Sequence, residues 1–235
     1  MLAILLKRQA AAKESANKKS MPVIEQSEAS ENARPELVGK PWEETQIMLK
    51  QDLSYLRTLA GSKEKDPYKE ELIKKYRPLV ERLLNSHQGN YGNLEVMWWF
   101  FTWHVDLGKF DDIHDAFRQA IGAGLEAPDN WKMNGQTAFC GYVFKHAHDA
   151  YTNKTEFKRE YLINATKDLL TGELATNAAL KVKMFRLVGD WYEEAGEKEQ
   201  AHNLFELVMK LDPNKGGRKT KLNDLKQELG YDQPN

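Results

Sequence analysis

Residues 94–107 read LEVMWWFFTWHVDL, and this stretch decides the fold class. It is almost wholly apolar and aromatic, and its propensities leave both a buried helix and a buried strand open. The run is about 14 residues long, which favours a helix over a strand, and the sequence on both sides of it has a helical pattern. We therefore expect a buried helix here.

The flanking sequence repeats apolar residues at helical spacing. One stripe runs from Trp42 to Ala60, and a second runs from Leu72 to Leu83. Pro78 should break or kink the second helix, because proline lacks an N–H donor and clashes with the preceding turn. Downstream, a short helix capped by Asp111 or Asp112 is followed by three longer helices, predicted at 135–151, 155–171 and 176–195. No segment alternates apolar and polar residues convincingly, so the sequence predicts an all-α, multi-helix bundle.

Composition divides the chain into four segments. We expect residues 1–40 to be a flexible, basic and partly disordered N-terminal arm, since 21–40 combine proline and glycine with Ser, Glu and Asn. Residues 41–175 form the helical core. A helical hairpin follows at 176–213, and a basic C-terminal tail helix at 214–235.

The hairpin carries the strongest repeat-like signal in the chain. Residues 185–213 have the spacing of a tetratricopeptide-type helical pair, and a fainter version spans Met97–Ala120. Small residues at Gly189 and Ala201 would let two antiparallel helices approach, and Gly196 would make the turn. About three units are needed for a stable solenoid, so ordinary packed helix pairs stay open as the alternative to a protein-binding groove.

Charge is distributed unevenly along a chain whose net charge is −1. Residues 1–20 hold five basic residues against one acidic, residues 57–82 eight against five, and residues 210–228 six against three. A nearly neutral chain is a poor ligand for polyanions as a whole, so any contact with nucleic acid must come from these local clusters. Solvated helix faces are the alternative explanation for each cluster alone.

The sequence offers little for catalysis. Cys140 is the single cysteine, which excludes an internal disulfide framework, and its aromatic neighbours indicate a buried thiol rather than a nucleophile. No glycine-rich phosphate loop is present, so no intrinsic ATPase is visible. The aromatic run 98–103 has no basic neighbour within it, which indicates core packing rather than base stacking. No run approaches the roughly 18 apolar residues that span a bilayer, so no membrane contact is expected.

Three groups of residues contain the residue types of a metal site but not the spacing or the secondary structure that such a site needs. Asp129, Glu156 and Lys158 match a magnesium-dependent nuclease, yet that site needs adjacent strands, and the last two open a predicted helix. A helix cap with solvated charges explains the run Asp111–Asp115. His146 and His148 are two residues apart and face different directions on a helix. We therefore expect no metal and no cofactor.

The order of features from 45 to 229 resembles that of a known family. The resemblance rests on a basic arm, a Lys/Glu-rich hinge and a basic tail, and on the stretches IMLKQDL (47–53), KKYRPL (74–79), LEVMWW (94–99), DLGKF (106–110), AIGAGL (120–125), WK (131–132), GDWY (189–192) and LDP (211–213). In this order and spacing, the chain is similar to the small terminase subunits of temperate, contractile-tailed phages that package DNA with cohesive ends.

The resemblance implies a non-enzymatic subunit that acts in the host cytoplasm. Such subunits assemble into homo-oligomeric rings, bind double-stranded viral DNA at the packaging start, and recruit or regulate a large subunit that carries the ATPase and the nuclease. The family label of endonuclease subunit would then describe the holoenzyme. The core 41–175 would supply the oligomerisation and DNA-facing helices, and a ring would multiply weak basic patches by avidity.

Basic side chains are the expected contact residues. For DNA we expect first the arm and then the hinge, which comprise Lys7, Arg8, Lys13, Lys18 and Lys19, followed by Lys74, Lys75 and Arg77. For the partner or a neighbouring subunit we expect the hairpin and tail residues Tyr192, Lys215, Arg218, Lys219 and Lys221. Two other functions stay open at this point. The first is an all-α tetratricopeptide-like adaptor without a DNA role, and the second is a metal-dependent endonuclease.

Overall fold

The computed structural model describes residues 41–231, which form nine α-helices and no strand. The helices are α1 (Trp42–Thr58), α2 (Gly61–Ser86), α3 (Glu95–Asp106), α4 (His114–Gly122), α5 (Gly135–Asn153), α6 (Arg159–Thr171), α7 (Ala178–Glu194), α8 (Lys198–Leu211) and α9 (Lys219–Glu228). The all-α prediction is confirmed. None of these helices is both long and apolar enough to cross a membrane.

The aromatic run forms α3, a helix at the centre of the core. Trp98, Phe101 and Trp103 are fully buried. Phe101 stacks on Phe117 of α4 with ring centroids 4.7 Å apart, and Trp98 meets the same ring edge-on at 5.8 Å. Burial of each large apolar side chain stabilises the fold by about 1.5–3 kcal/mol, so this helix organises the elements around it.

Helix α2 continues through Pro67 and Pro78, so Pro78 does not break it, while the expected kink stays a prediction. A proline inside a helix costs about 3 kcal/mol, because it removes one backbone hydrogen bond and crowds the preceding turn. The buried stripe of α2 extends across Pro78, from Leu72 to Val80. Apolar burial on both sides of the proline offsets its cost and holds the turns in one helix.

Helix α4 begins differently from the sequence prediction. Its N-cap is Ile113, which makes no side-chain cap, while Asp111 and Asp112 are exposed in the preceding turn. Ile113 is 5% exposed, and its burial in the core sets where the helix begins. The prediction of an aspartate cap is therefore wrong.

Helices α7 and α8 form the hairpin expected near the C-terminus. Gly196 makes the turn with φ of +77°, a left-handed conformation that glycine adopts without strain. Leu222 and Leu225 of α9 then pack on Ala201 and Phe205 of α8. Residues 219–228 of the basic tail thus form a helix that packs on the hairpin. The tetratricopeptide likeness itself stays a prediction.

Candidate nucleic-acid and partner surfaces

The five arm residues expected to contact DNA, Lys7, Arg8, Lys13, Lys18 and Lys19, lie outside the described residues. The hinge residues lie on α2, and the structure does not bring them together. Lys74 is exposed to solvent, whereas its neighbour Lys75 turns toward α1. Arg77 points toward α3, where its guanidinium lies 5.8 Å from the centre of the Phe100 ring.

Lys75 belongs to a partly buried network around Asp52. Its ammonium donates to Asp52 Oδ2 at 2.5 Å, and the side chains of the pair are 12% and 13% exposed. Tyr76 donates to the same oxygen at 2.7 Å, and Tyr68 donates to Oδ1 at 3.1 Å. Burial, together with the Asp52 carboxylate, raises the pKa of the Tyr76 phenol. Lys75 therefore stabilises the contact between α2 and α1, and its ammonium is not available to bind a phosphate.

Arg77 is partly exposed to solvent and also contacts residues of the core. Its side chain is 40% exposed and lies 3.7 Å from the Glu81 carboxylate, while Nη2 approaches His104 Nε2 at 3.5 Å. His104 Nδ1 lies 2.8 Å from the Phe100 carbonyl oxygen. Burial, aided by the Arg77 charge, lowers the pKa of His104. A neutral imidazole accepting from Arg77 and donating to Phe100 fits these contacts.

The partner residues fall into two groups. Lys215 and Lys219 are exposed, but Arg218 and Lys221 bind the acidic residues of α7. Arg218 Nε donates to Asp190 Oδ1 at 2.9 Å, and its Nη2 donates to the other carboxylate oxygen. Lys221 donates to Glu193 and, at 3.3 Å, to Asp190. These contacts hold α9 on the hairpin.

Burial and charge oppose each other at Lys221. Burial lowers the pKa of Lys221, but the hydrogen bond to Glu193 and the charge of Asp190 outweigh it, so the pKa is raised. Tyr192 is half-buried between the hairpin and α9, and burial raises the pKa of its phenol. Tyr192 fills the seam between helices.

A basic groove lies between α5 and α7, and no prediction from the sequence pointed to it. The concavity, about 370 Å³ in volume, has an apolar and aromatic side and a cationic side, and its lining includes Phe144, Tyr151, Leu187, His148, Lys183, Arg186 and Arg218. Within residues 41–231, Lys183 and Arg186 have no ion-pair partner. Helical spacing in the sequence could have indicated this groove. Phe144, His148 and Tyr151 share one face of α5, and Lys183 and Arg186 share one face of α7.

The nuclease residues are not assembled into a site. Asp129 and Glu156 line two different concavities, and both are exposed. Lys158 donates to the Tyr161 hydroxyl at 2.9 Å. No three His, Cys, Asp or Glu side chains in the described part of the chain could hold a metal ion.

The remaining titratable residues behave as structural ones. His146 packs on the Phe110 ring at 5.0 Å while His148 is exposed, so they face different directions as predicted. Cys140 is buried, and burial raises the pKa of its thiol to about 12. A thiol with this pKa is not a nucleophile near neutral pH.

The described residues thus define an all-α protein with separate basic surfaces and no assembled catalytic constellation. A family model described as phage small terminase subunit matches residues 46–178, from α1 to the start of α7. Because the match covers more than half of the chain, this protein belongs to the phage small terminase subunit family. It is therefore a terminase small subunit of phage DNA packaging, and this family is generally the non-catalytic, regulatory partner. No curated protein and no solved structure matched the chain.

Proposed function

We propose that this chain binds viral DNA at the packaging start as a homo-oligomeric ring and recruits or regulates the large terminase subunit in the host cytoplasm. Its membership in the small terminase subunit family, over residues 46–178, carries this proposal. The large subunit supplies the ATPase and the nuclease. The family assignment disfavours an adaptor outside DNA packaging, and the scattered positions of Asp129 and Glu156 disfavour an intrinsic nuclease.

DNA contact is assigned to the basic arm and to the solvent side of α2. The arm contributes Lys7, Arg8, Lys13, Lys18 and Lys19. On α2, Lys74 is exposed and Arg77 is partly exposed, while Lys75 supports the helix through Asp52. One subunit is a weak ligand because its net charge is −1. A ring repeats each patch along one DNA path, so affinity comes from avidity.

Contact with the large subunit is assigned to the C-terminal surface. Lys215 and Lys219 are exposed there, and Arg218 and Lys221 hold the loop and α9 against α7. Tyr192 supports this surface from beneath. The exposed lysines offer two positive charges to an acidic partner segment, which favours fast and specific association.

The test of the proposal combines solution mass with DNA binding. The purified chain should have the mass of a ring in light scattering, and its DNA affinity should fall steeply with salt, by a slope of about −0.9 per phosphate neutralised. Removal of residues 1–20 should weaken binding and flatten that slope. A monomer throughout the micromolar range, or an unchanged slope after the deletion, would contradict the proposal.

A cleavage assay separates this function from the nuclease alternative. Purified chain with Mg²⁺ should leave DNA intact, since the described residues hold no assembled metal site. Cleavage that disappears in Asp129→Ala or Glu156→Ala would restore the nuclease assignment.

A further inference from the structure

The groove between α5 and α7 carries positive charge that the fold does not neutralise. Lys183 is exposed and Arg186 is partly exposed, and neither has an ion-pair partner among the residues that the structure describes. The two residues are three positions apart on α7, so their Cβ atoms lie about 5–6 Å from each other on one face of the helix. The groove therefore suits an occupant that brings two negative groups at a similar separation.

A third cation of the groove already binds a carboxylate. Arg218 holds the Asp190 carboxylate through two donors, Nε at 2.9 Å and Nη2, and Lys221 donates to the same group at 3.3 Å. Charge-assisted hydrogen bonds of this kind are roughly twice as strong as neutral ones. Because Asp190 is engaged in these contacts, it does not neutralise Lys183 or Arg186.

Apolar and aromatic side chains line the rest of the groove. Phe144 and Tyr151 of α5 are half-buried there, and Leu187 of α7 lies beside them. The Tyr151 hydroxyl donates to Glu194 of α7 at 2.6 Å, which fixes its ring across the two helices. Side chains that are held in place before binding lose little conformational freedom on binding, so this lining favours contact with an apolar side chain.

The lining distinguishes a peptide from a nucleic-acid backbone. Phosphates supply negative charge but bring no apolar group to Phe144 or Leu187. A duplex is also broad and convex, whereas the groove is a concavity of about 370 Å³. An acidic peptide segment brings carboxylates and apolar side chains together, which is the combination of charged rim and apolar centre found in specific protein interfaces.

The groove is continuous with the C-terminal surface assigned to the large subunit. Arg218 belongs to both. A Cβ atom at Gly217 would lie 3.7 Å from Arg186 Nη1, so the Arg186 guanidinium lies beside the loop that carries the exposed Lys215. The exposed Lys219 follows at the start of α9. One acidic segment therefore reaches the groove and the exposed lysines of the C-terminal surface together.

From this charge, lining and continuity we propose that the groove binds an acidic segment of the large terminase subunit. Its carboxylates pair with Lys183 and Arg186, and an apolar side chain packs against Phe144 and Leu187. The separation of the two cations calls for two acidic residues within about four positions of each other, next to an apolar residue. This inference rests on the proposed recruitment of the large subunit and adds the residues that hold it.

Charge reversal in the full-length chain tests the groove against the purified large subunit of the same phage. Lys183→Glu/Arg186→Glu should weaken binding roughly 10- to 100-fold in calorimetric titration, because like charges would then face each other. Lys183→Gln/Arg186→Gln removes the charge without reversing it and should weaken binding less. Lys63→Glu/Lys167→Glu reverses two exposed lysines outside the groove and should bind as the wild type does. Circular dichroism and light scattering check the fold and the mass of each variant.

The outcomes separate this groove from the proposed function. No binding of the large subunit by the wild-type chain would reject recruitment and, with it, the groove. Binding by the wild type together with unchanged affinity in both groove variants would overturn the groove alone. Loss of DNA affinity, or a smaller mass, at unchanged affinity for the large subunit would assign the groove to DNA or to a contact between copies.

A photoreactive label identifies the segment that enters the groove. Thr152 lines the groove and is exposed, and Cys140, the single cysteine, is buried, so Thr152→Cys can be labelled selectively. Mass spectrometry of the crosslinked complex should show a large-subunit segment that has the paired acidic residues and the neighbouring apolar residue. A crosslink to a basic segment, or to one without carboxylates, would overturn the assignment.

Discussion

Gly189 of α7 lies directly against the ring of Phe205 on α8. A Cβ atom at position 189 would stand 2.5 Å from Phe205 Cε1, closer than a real Cβ contact. Phe205 is fully buried and also packs beneath α9. The hairpin therefore requires glycine at this position, because the two helices approach too closely for any side chain.

Gly189→Ala should destabilise the fold by about 1–3 kcal/mol, because the added methyl overpacks the seam. Urea unfolding followed by circular dichroism, at one fixed protein concentration, measures the loss. Gly141→Ala on α5 is the matched control, since a Cβ there meets nothing within 4 Å. That control should be stabilising by about 0.5–1 kcal/mol. Equal stability of the two variants would contradict the close approach.

Asp52→Ala should cost about 2–4 kcal/mol of stability, because it leaves the Lys75 ammonium and two tyrosine hydroxyls without their acceptor. Glu81→Ala removes the exposed contact with Arg77 and should change stability by no more than about 1 kcal/mol. Denaturant unfolding of both variants makes the comparison. A mild effect at Asp52 would show that the network contributes little.

Lys74→Glu and Lys75→Met should separate DNA contact from folding. Lys74 is exposed, so its reversal should weaken DNA binding and leave the unfolding curve in place. Lys75 is bound to Asp52, so its loss should lower stability first. Fluorescence anisotropy with labelled DNA and urea unfolding give the two readouts. Interchanged effects would mean that Lys75, not Lys74, faces the phosphates.

Asp190→Asn should loosen α9, because Arg218 and Lys221 lose the charge that holds them. Trypsin should then cleave within 215–221 on the order of ten-fold faster than in the wild type. Glu228→Gln, which removes the exposed ion pair with Lys198, is the control and should cleave at the wild-type rate. Unchanged cleavage in Asp190→Asn would assign the docking of α9 to Leu222 and Leu225 alone.

Stability should fall as the pH drops below about 6.5, the ordinary pKa of histidine. Burial lowers the pKa of both His104 and His114 in the folded chain. The unfolded chain therefore binds more protons in this window, and the free energy of unfolding decreases with decreasing pH. The contribution is fully present above the unfolded pKa and is lost below it.

Urea unfolding between pH 7 and 5 measures this dependence. His104→Gln and His114→Gln should each flatten it. A slope in both variants that is identical to that of the wild type would remove the two buried histidines as its cause.

The positions of the helices could be predicted from the sequence because they depend on local periodicity. The stripes from Trp42 to Ala60 and across 135–151 appear as α1 and α5 within a few residues. The predicted break at Pro78 does not occur, because apolar burial on both sides of the proline, a tertiary effect, outweighs the local penalty. The predicted cap at Asp111 or Asp112 is also absent because of tertiary packing, since the buried Ile113 sets where the helix begins.

The candidate surfaces were harder to predict from the sequence, because the sequence shows which residues are charged but not which residues they contact. The predicted cluster at 74–77 is divided among solvent, Asp52 and Phe100. The groove cations Lys183 and Arg186 have ordinary spacing on their own helix. They become a surface only when α5 brings Phe144 and Tyr151 beside them.

The sequence by itself determined the all-α class, the central aromatic helix and the glycine turn of the C-terminal hairpin, because each follows from nearby residues. Only the tertiary structure decided which basic residues stay free. Lys75 is neutralised by Asp52, 23 residues away, and Arg218 by Asp190, 28 residues away. An ion pair depends on distance in space, which only the packing of helices sets.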